Sequence, residues 1–439
     1  MVDNVAHFES HCYTSSKLNM QSGLPQDVKE EILGHLHDEK QALRACSLAS
    51  HCFLVPCQKR LFWRVILLPP RVTGHPDARK FKKLLQCSPH LGQYVRYLEI
   101  FPYSSIINFM CANELDWLSE DESLAFCLPL LVHLRGLAIS FYRGSYPYEA
   151  NYRASLASME KNGLLPALRE LLRLPSLMGL DVQRLPLELF SSCGSNIKDL
   201  AVKLPKIDGT LNSSNCLLRP ESFEFMAHQG DTTTLEALES YVDLSGLQKL
   251  CARVDDEIGH TQVWRIIQKC LPTLQELVLS SSLNPDLPIR DPFHWDELSM
   301  LKLLDVRMQS QYSLLDNSCC RWLLKCLEMI SSTDAGSHLV NLSFQVNYKL
   351  DVAGTKHAPF FKELSEVLRW RKRFPHLNKV YLRIVQDAKS RSDLLDRQEL
   401  DIIPTVKELV GSSACPPVFE VSSVSVIGKG PSAVAYNAD

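Results

Sequence analysis

One pattern constrains this chain more than any other: L-x-x-L-x-L, with Val or Ile allowed, returns along most of its 439 residues. Copies start at Val95, Leu134, Leu177, Ile197, Leu274, Leu301, Leu377 and Val421, with looser ones at Leu247 and Leu339. Count alone proves little, since chance supplies roughly eight strict matches in a repeat search of so aliphatic a chain. Context is the better signal. Three copies carry an apolar-Pro-x prefix: Leu174-Pro175-Ser176, Leu271-Pro272-Thr273 and Phe374-Pro375-His376. Random placement gives on the order of 0.1 such extended matches, so the repeat is real. Helices are predicted just before it, in VWRIIQKC ahead of Leu271, RWLLKCLEMI ahead of Leu339 and FKELSEVLRWRKR ahead of Phe374. Proline then stops the helix, because it has no N–H for the ladder. A short alternating strand follows, burying one side and exposing the other.

The starts from Leu247 onward fall 27, 27, 38 and 38 residues apart. That spacing resembles irregular leucine-rich repeats, which implies a β/α solenoid over residues 80–427 with a parallel strand and a helix per unit. The asparagine that normally follows the strand is missing throughout, so the backbone at the turn must be satisfied another way. The stretch Lys206–Thr234 has the composition of a long surface loop interrupting the array. An ordinary α/β sheet domain is the alternative left open. In the repeat, positions one, four and six point into the core, and positions three, five and seven face outward on the concave sheet. Those outward places supply the candidate target-binding residues: Tyr97, Glu99, Asp181, Gln183, Lys203, Asp305, Arg307, Gln345, Tyr381 and Arg383. Their mixed charge with tyrosine suits a protein surface better than a phosphate backbone, which wants a basic row.

Ahead of the array the chain reads differently. Residues 1–21 are polar and patternless, a disordered tail. A helical module is predicted over 22–68, a Pro-containing linker over 69–79, and a flexible tail over 428–439. Pro25 suits a first helical position, and Asp27, Glu30 and Glu31 set negative charge near the positive end of the helix dipole. Val28, Ile32, Leu33 and Leu36 recur at helical spacing as one apolar face. Asp38 with Gln41 resembles a capping box for a second helix carrying Leu43, Cys46 and Leu48. A third helix is predicted to begin near Phe53, with Pro56 in its first turn, and to run toward Phe62. Three short helices make a very small core, and such cores lean on a neighbour.

These residues resemble an F-box, the module that docks substrate receptors onto the Skp adaptor of cullin–RING ubiquitin ligases. The match runs through Leu24-Pro25, Val28, Ile32, Leu36, Leu43, Cys46-Ser47-Leu48, Phe53 and Leu61-Phe62-Trp63. The phrase ALRACSLAS followed by LF-W-R-V is similar to the F-box families expanded in mushroom-forming fungi. Val28 stands where leucine is commoner and Phe53 where tryptophan is commoner, both apolar swaps of tolerable volume. The resemblance implies Skp-binding roles for Leu24, Pro25, Val28, Ile32, Leu36 and Leu48. A generic small helical domain is the alternative. The fold class expected for the whole is therefore α+β/α/β: a three-helix F-box, then the β/α solenoid.

Composition removes other classes. With 47 basic and 50 acidic residues the formal net charge is −3, without the basic excess that nucleic acid or anionic membrane needs. The most apolar stretch, LAFCLPLLVHL from Leu124, is about half a membrane span and contains Pro129. The opening residues carry no basic stretch followed by an apolar run, so no secretory leader is expected. The 15 cysteines then read as reduced thiols in cytoplasm or nucleus, and the sequons at Asn212 and Asn341 as inert. No C-x-x-C occurs, which removes the ligand spacing of most structural zinc sites. Cys46, Cys52 and Cys57 with His51, Cys319-Cys320 with Cys326, and His7, His11 and Cys12 read as core or tail rather than metal ligands. No phosphate-binding glycine loop, nucleophile elbow or H-E-x-x-H is present, and GKGPSA at Gly428 precedes no helix. The run Arg369–Arg373 reads as solvated cations at a helix end before it reads as a nuclear-import signal.

The expectation is a non-enzymatic adaptor with no cofactor. The F-box would dock Skp and, through it, cullin and a RING subunit, while the solenoid would hold an unknown target protein near activated ubiquitin. The alternatives are a scaffold acting outside a ubiquitin ligase and an enzyme of unrecognised type.

Overall fold

The computed structural model places the aliphatics of the copies from Val95 to Leu339 inside, and in the copy at Leu377 buries Val380 and half-buries Leu377. It describes residues 25–36, 39–68, 77–101, 117–141, 149–203, 217–226, 233–254, 256–281, 294–309, 326–330, 338–348, 374–387 and 418–426. Both predicted tails, Leu24, Asp38, most of the linker and the segment before Phe374 with its basic run Arg369–Arg373 lie outside these residues. The chain divides into two compact units, Met1–Leu185 with Ser192–Asn196, and Pro186–Ser191 with Ile197–Asp439.

The first unit begins with three helices, α1 (Gln26–Gly34), α2 (Lys40–Ala49) and α3 (His51–Leu61). It continues as β1 (Arg64–Leu67), α4 (Ala78–Cys87), β2 (Tyr97–Ile100), α5 (Trp117–Glu120), α6 (Ser123–Cys127), β3 (Gly136–Ser140), α7 (Glu149–Lys161), α8 (Leu164–Leu172) and β4 (Gly179–Gln183). Strands β1 to β4 pair in chain order, all parallel. Parallel neighbours need a crossover, and the helices between them supply it. Helix α4 buries Ala78, Phe81 and Leu85, three places on one face, and its first turn is closed by Asp77, which accepts from the Lys80 N–H at 2.8 Å. Between α7 and α8 the chain turns through Gly163 at φ 80°, a left-handed conformation that costs glycine nothing. Asn162 holds that turn, donating to the Leu118 and Ser119 carbonyls and accepting from the Leu164 N–H.

The second unit holds β5 (Asp199–Lys203), β6 (Ser222–Met226), α9 (Thr234–Leu238), β7 (Lys249–Arg253), α10 (Glu257–Cys270), β8 (Glu276–Ser281), β9 (Leu303–Gln309), β10 (Asn341–Tyr348), β11 (Lys379–Asp387) and β12 (Val418–Val426). These strands also pair in chain order and in parallel. Each unit is thus a stack of parallel strands backed by helices, a solenoid-like α/β arrangement. Helix α10 is the one predicted to end at Leu271-Pro272. Asp256 caps it by accepting from the Gly259 N–H at 2.6 Å, and Val263, Ile266, Ile267 and Cys270 form its buried face. Of the helix predicted ahead of Leu339, residues 326–330 are helical, with Cys326, Leu327 and Ile330 buried.

Asn347 does stand in the ninth place of the copy at Leu339, and across the copies a main-chain device recurs at the strand starts. The carbonyl of the residue in position two accepts two N–H groups, from positions two and three of the next repeat. In the first unit Trp63, Arg96 and Arg135 do this, the Arg96 oxygen taking Arg135 N at 2.7 Å and Gly136 N at 2.9 Å. In the second unit Lys198, Glu221, Gln248, Gln275, Lys302 and Val340 repeat it. One residue earlier, the N–H of position one closes a turn onto the carbonyl three residues back, as Leu134 does onto Leu131, Leu177 onto Leu174 and Leu301 onto Leu298. Both are main-chain devices and so place no demand on the side chain.

Three strands depart from the sequence reading. In β12 the copy read as starting at Val421 is out of register, since Val421 lies opposite Leu382, the sixth place of the copy at Leu377, and Val418 opposite its third, Lys379. Lys206–Thr234, expected to be a surface loop, contains β6, which pairs with β5 on one side and β7 on the other. Pro220, Phe223 and Phe225 take the repeat's buried places there, and Leu247 follows Pro220 by the same 27 residues that separate the next two starts. The pattern was hidden because proline and phenylalanine replace the aliphatics. Likewise Arg64–Leu67, read as the end of the helical module, is a sheet strand with Val65 and Leu67 buried. If β6 is structural, Phe223→Ala should lower the unfolding free energy by about 3–5 kcal/mol, while Met178→Ala at an exposed loop position should stay within about 0.5 kcal/mol. Denaturant titration followed by circular dichroism measures both; equal small effects would return Ser222–Met226 to the surface.

Candidate functional site

The sequence-predicted site residues fall on the helical module and on the sheet of each unit, taken separately. The module's core is Leu33, Leu43 and Cys57, with Leu36, Cys46, Phe53 and Leu61 packed against it. The single apolar face expected on α1 is in fact two. Val28 and Ile32, four residues apart and so neighbours on the helix surface, are 37% and 39% exposed. Leu33 is five residues from Val28, about 140° round the helix, and points inward. Pro25 is exposed ahead of the helix and its carbonyl accepts from Lys29 N. The same separation divides α2: Leu43 is buried, whereas Leu48, expected on its apolar side, is 75% exposed. Of the six residues assigned to Skp binding, Pro25, Val28, Ile32 and Leu48 are therefore exposed, Leu36 supports the core, and Leu24 lies outside the described residues.

Local details differ from expectation too. Helix α2 starts at Lys40 behind Glu39, which makes no side-chain cap bond, and the capping box expected at Asp38 lies outside the described residues. Helix α3 starts at His51 rather than near Phe53, which puts Pro56 inside the helix instead of in its first turn. There it cannot donate to the Cys52 carbonyl, a local loss that a short helix tolerates near its start. Cys52 is exposed, Cys46 half-buried and Cys57 buried, as their spacing predicted.

The outward sheet places divide between the units. In the first, Tyr97 is exposed, and its ring occupies the space a Cβ would need at Gly136, 2.6 Å from the ring edge. Trp63 lies beside it at 6.1 Å between ring centroids, and the Arg96 guanidinium is 5.9 Å from the Trp63 ring. Glu99 pairs with Arg64. Asp181 and Gln183 are half-buried, and Gln183 Oε1 accepts from Ser140 Oγ at 2.9 Å.

In the second unit Lys203 pairs with Glu224 at 3.1 Å. Asp305, expected to face solvent, is buried: it lies in register between Val278 and Ser343, and its Oδ2 accepts from Arg307 Nε at 2.8 Å. Its Oδ1 has no hydrogen-bond partner. Arg307 is exposed, while Gln345 and Tyr381 are half-buried. Lys379 reaches over the Tyr381 ring, 5.7 Å from its centroid. Arg307, Gln345 and Arg383 are in register across β9, β10 and β11, so the sheet brings these three together. Two members of this surface went unnoticed in the sequence. Glu224 sits in the strand misread as a loop; Arg253, in position seven of the loose copy at Leu247, was legible from the repeat.

For chemistry the surfaces offer hydrogen-bonding and charge. Among the described residues no group of three or more His, Cys, Asp or Glu could hold a metal ion, no disulfide forms, and no helix is long and apolar enough to cross a membrane. Burial pushes the thiols of Cys127, Cys193 and Cys270 up to about 12 and that of Cys251 to about 11. A thiol held protonated is a poor nucleophile. Iodoacetamide on the native protein should therefore modify the exposed Cys52 and Cys87 well before Cys127, Cys193 or Cys270, with mass spectrometry reading the order. Rapid labelling of the last three would mean that their surroundings open.

No protein-family model matches the chain, and no curated protein does. Among solved structures it is similar to a crystal structure of a Bacteroides fragilis protein, at 15% identity and a TM-score of 0.29, over 69% of this chain and 72% of that one.

Proposed function

We propose that the chain is a non-catalytic substrate-recognition adaptor of a Skp–cullin–F-box ubiquitin ligase: an F-box at α1–α3 docks Skp, and a leucine-rich-repeat-like solenoid binds the target. The observation that carries the reading is the apolar surface of the helical module. Val28, Ile32, Leu48 and Val55 stay exposed on three helices whose own buried core is Leu33, Leu43 and Cys57. Large apolar side chains left outside so small a core mark a surface that a partner covers. Val28, Ile32 and Leu48 are among the residues that carry the F-box resemblance, so exposure and resemblance select the same side chains.

On this reading the protein supplies proximity rather than chemistry. Holding a target beside an activated ubiquitin raises its effective concentration, and the transfer itself belongs to the cullin-bound RING machinery. The parallel sheets suit the second half of the task, because each strand sets alternate side chains on an outward face whose register its neighbours share. The adaptor would work in the cytosol, the nucleus or both.

The test uses the same exposure. Ile32→Asp with Leu48→Asp should weaken Skp binding by about 2 kcal/mol or more, since interfaces concentrate energy in few apolar anchors. The same exposure predicts a change in folding stability within about 0.5 kcal/mol. Calorimetric titration against Skp and thermal unfolding of the same samples measure the two quantities. Unchanged Skp affinity in the folded double variant would remove the docking assignment. Skp bound without cullin in a pull-down would favour the scaffold, and ubiquitin chains formed by the chain alone would refute the adaptor.

A further inference from the structure

In the second unit, position seven of successive repeats makes a row across the sheet. From β7 to β12 the register sets Arg253 beside Ser280, Ser280 beside Arg307, Arg307 beside Gln345, Gln345 beside Arg383 and Arg383 beside Ser422. Every second strand contributes an arginine and every other one an uncharged polar residue. On β5, past Met226 of β6, Lys203 is a further cation and is engaged with Glu224. The arginine row contains no acid.

The rows on either side differ. Toward the strand starts lie Cys251, Val278, Asp305, Ser343, Tyr381 and Glu420, where Asp305 and Glu420 are the acids. Toward the strand ends of β9 to β12 lie Gln309, Asn347, Val385 and Val424, all uncharged, while in the chain Asp255 follows Arg253 by two residues. On β9 to β12 an anion would be repelled from the first side and not from the second. Asp305 also sets the middle arginine: it takes Arg307 through Nε, and the Arg307 side chain remains 46% exposed. A guanidinium has five N–H donors in a rigid fork, so one bond to Asp305 leaves capacity for a second carboxylate.

The spacing selects the conformation of what binds. Neighbouring strands lie about 4.8 Å apart, so arginines on alternate strands recur about every 9.6 Å. A polyproline II segment has three residues per turn and a rise of about 3.1 Å, so every third side chain returns to one face after about 9.3 Å. An extended strand returns same-side residues after about 6.6–6.8 Å and falls out of step by the second arginine. Polyproline II also has no backbone partner to seek, which suits a segment lying across strands rather than along an edge.

We propose that the outward face of the second unit binds an acidic segment in polyproline II conformation, crossing the strands with a carboxylate at every third residue over Arg253, Arg307 and Arg383. This deepens the target-binding half of the adaptor reading and rests on it for the identity of the occupant as a target protein. The register carries the proposal further than net charge could, since the chain as a whole is at −3.

The full chain is titrated into fluorescein-labelled proline-rich peptides, by anisotropy at physiological salt. One peptide carries glutamate at every third residue for three turns, and a second carries the same glutamates at every second residue. The first should bind about tenfold tighter than the second, and Arg307→Glu or Arg253→Glu should each cost about tenfold or more, while Lys83→Glu on the exposed side of α4 leaves binding unchanged. Arg307→Gln, which keeps a polar side chain, serves if charge reversal unfolds the protein, and circular dichroism checks each variant. Equal affinity for the two peptides, no saturable binding, or tighter binding to a single-stranded oligonucleotide would each overturn the proposal. Skp is titrated against the same samples. Skp bound without peptide binding removes this inference and leaves the adaptor reading. Peptide bound without Skp does the reverse.

Discussion

Both units depend on a single backbone carbonyl per repeat that takes two hydrogen bonds. At each strand start it receives the N–H groups of positions two and three of the following repeat, as Gln275 does from Lys302 and Leu303. Each such bond adds only about 1 kcal/mol, far less than burying the aliphatics beside it. Its importance is geometric. Two donors on one acceptor leave a single alignment, so each repeat starts opposite the same place in the last. A slip of one residue would turn every leucine to solvent. With the alignment held, position seven meets position seven from strand to strand, and single residues become rows.

The helical module works by the opposite logic. Its three helices bury few side chains, and what they leave outside includes Val28, Ile32, Leu48 and Val55. A helix carrying apolar residues at both four- and five-residue spacing cannot hide all of them against one neighbour. Leu33 of α1 and Leu36 just past its end point inward, and the outward pair is Val28 and Ile32. A stripe facing water has no folding role, which makes it available for association.

Exposed ion pairs add little to stability here. Ion pairs such as Lys249 with Glu276 or Arg219 with Asp243 sit largely in solvent, where screening leaves them weak. Asp305 with Arg307 differs, because the carboxylate is buried while the guanidinium is partly exposed. Removing Arg307 would strand a buried charge, so the pair holds the arginine in one orientation. Orienting Arg307 is a structural reason for a buried carboxylate in the row beside the arginines.

Much of this was written in the order of residues. Alternation of aliphatics with a proline ahead marks strand after helix stop, because burial on one face and a missing N–H are local facts. The buried places of nearly every described copy followed from that alone, whereas of the outward candidates with described side chains only Tyr97 and Arg307 are exposed and Asp305 is buried. The β6 strand escaped because proline and phenylalanine fill volume as well as leucine does, and a search for aliphatics cannot see volume. Whether α1 has one apolar face or two depends on which neighbours its sides meet, and whether Asp305 is wet depends on Val278 and Ser343, distant in the chain. The sequence by itself determined the period, the polarity of each place and the chemistry available. Only the tertiary structure decided which places meet, since register is a property of paired strands and no strand carries it alone.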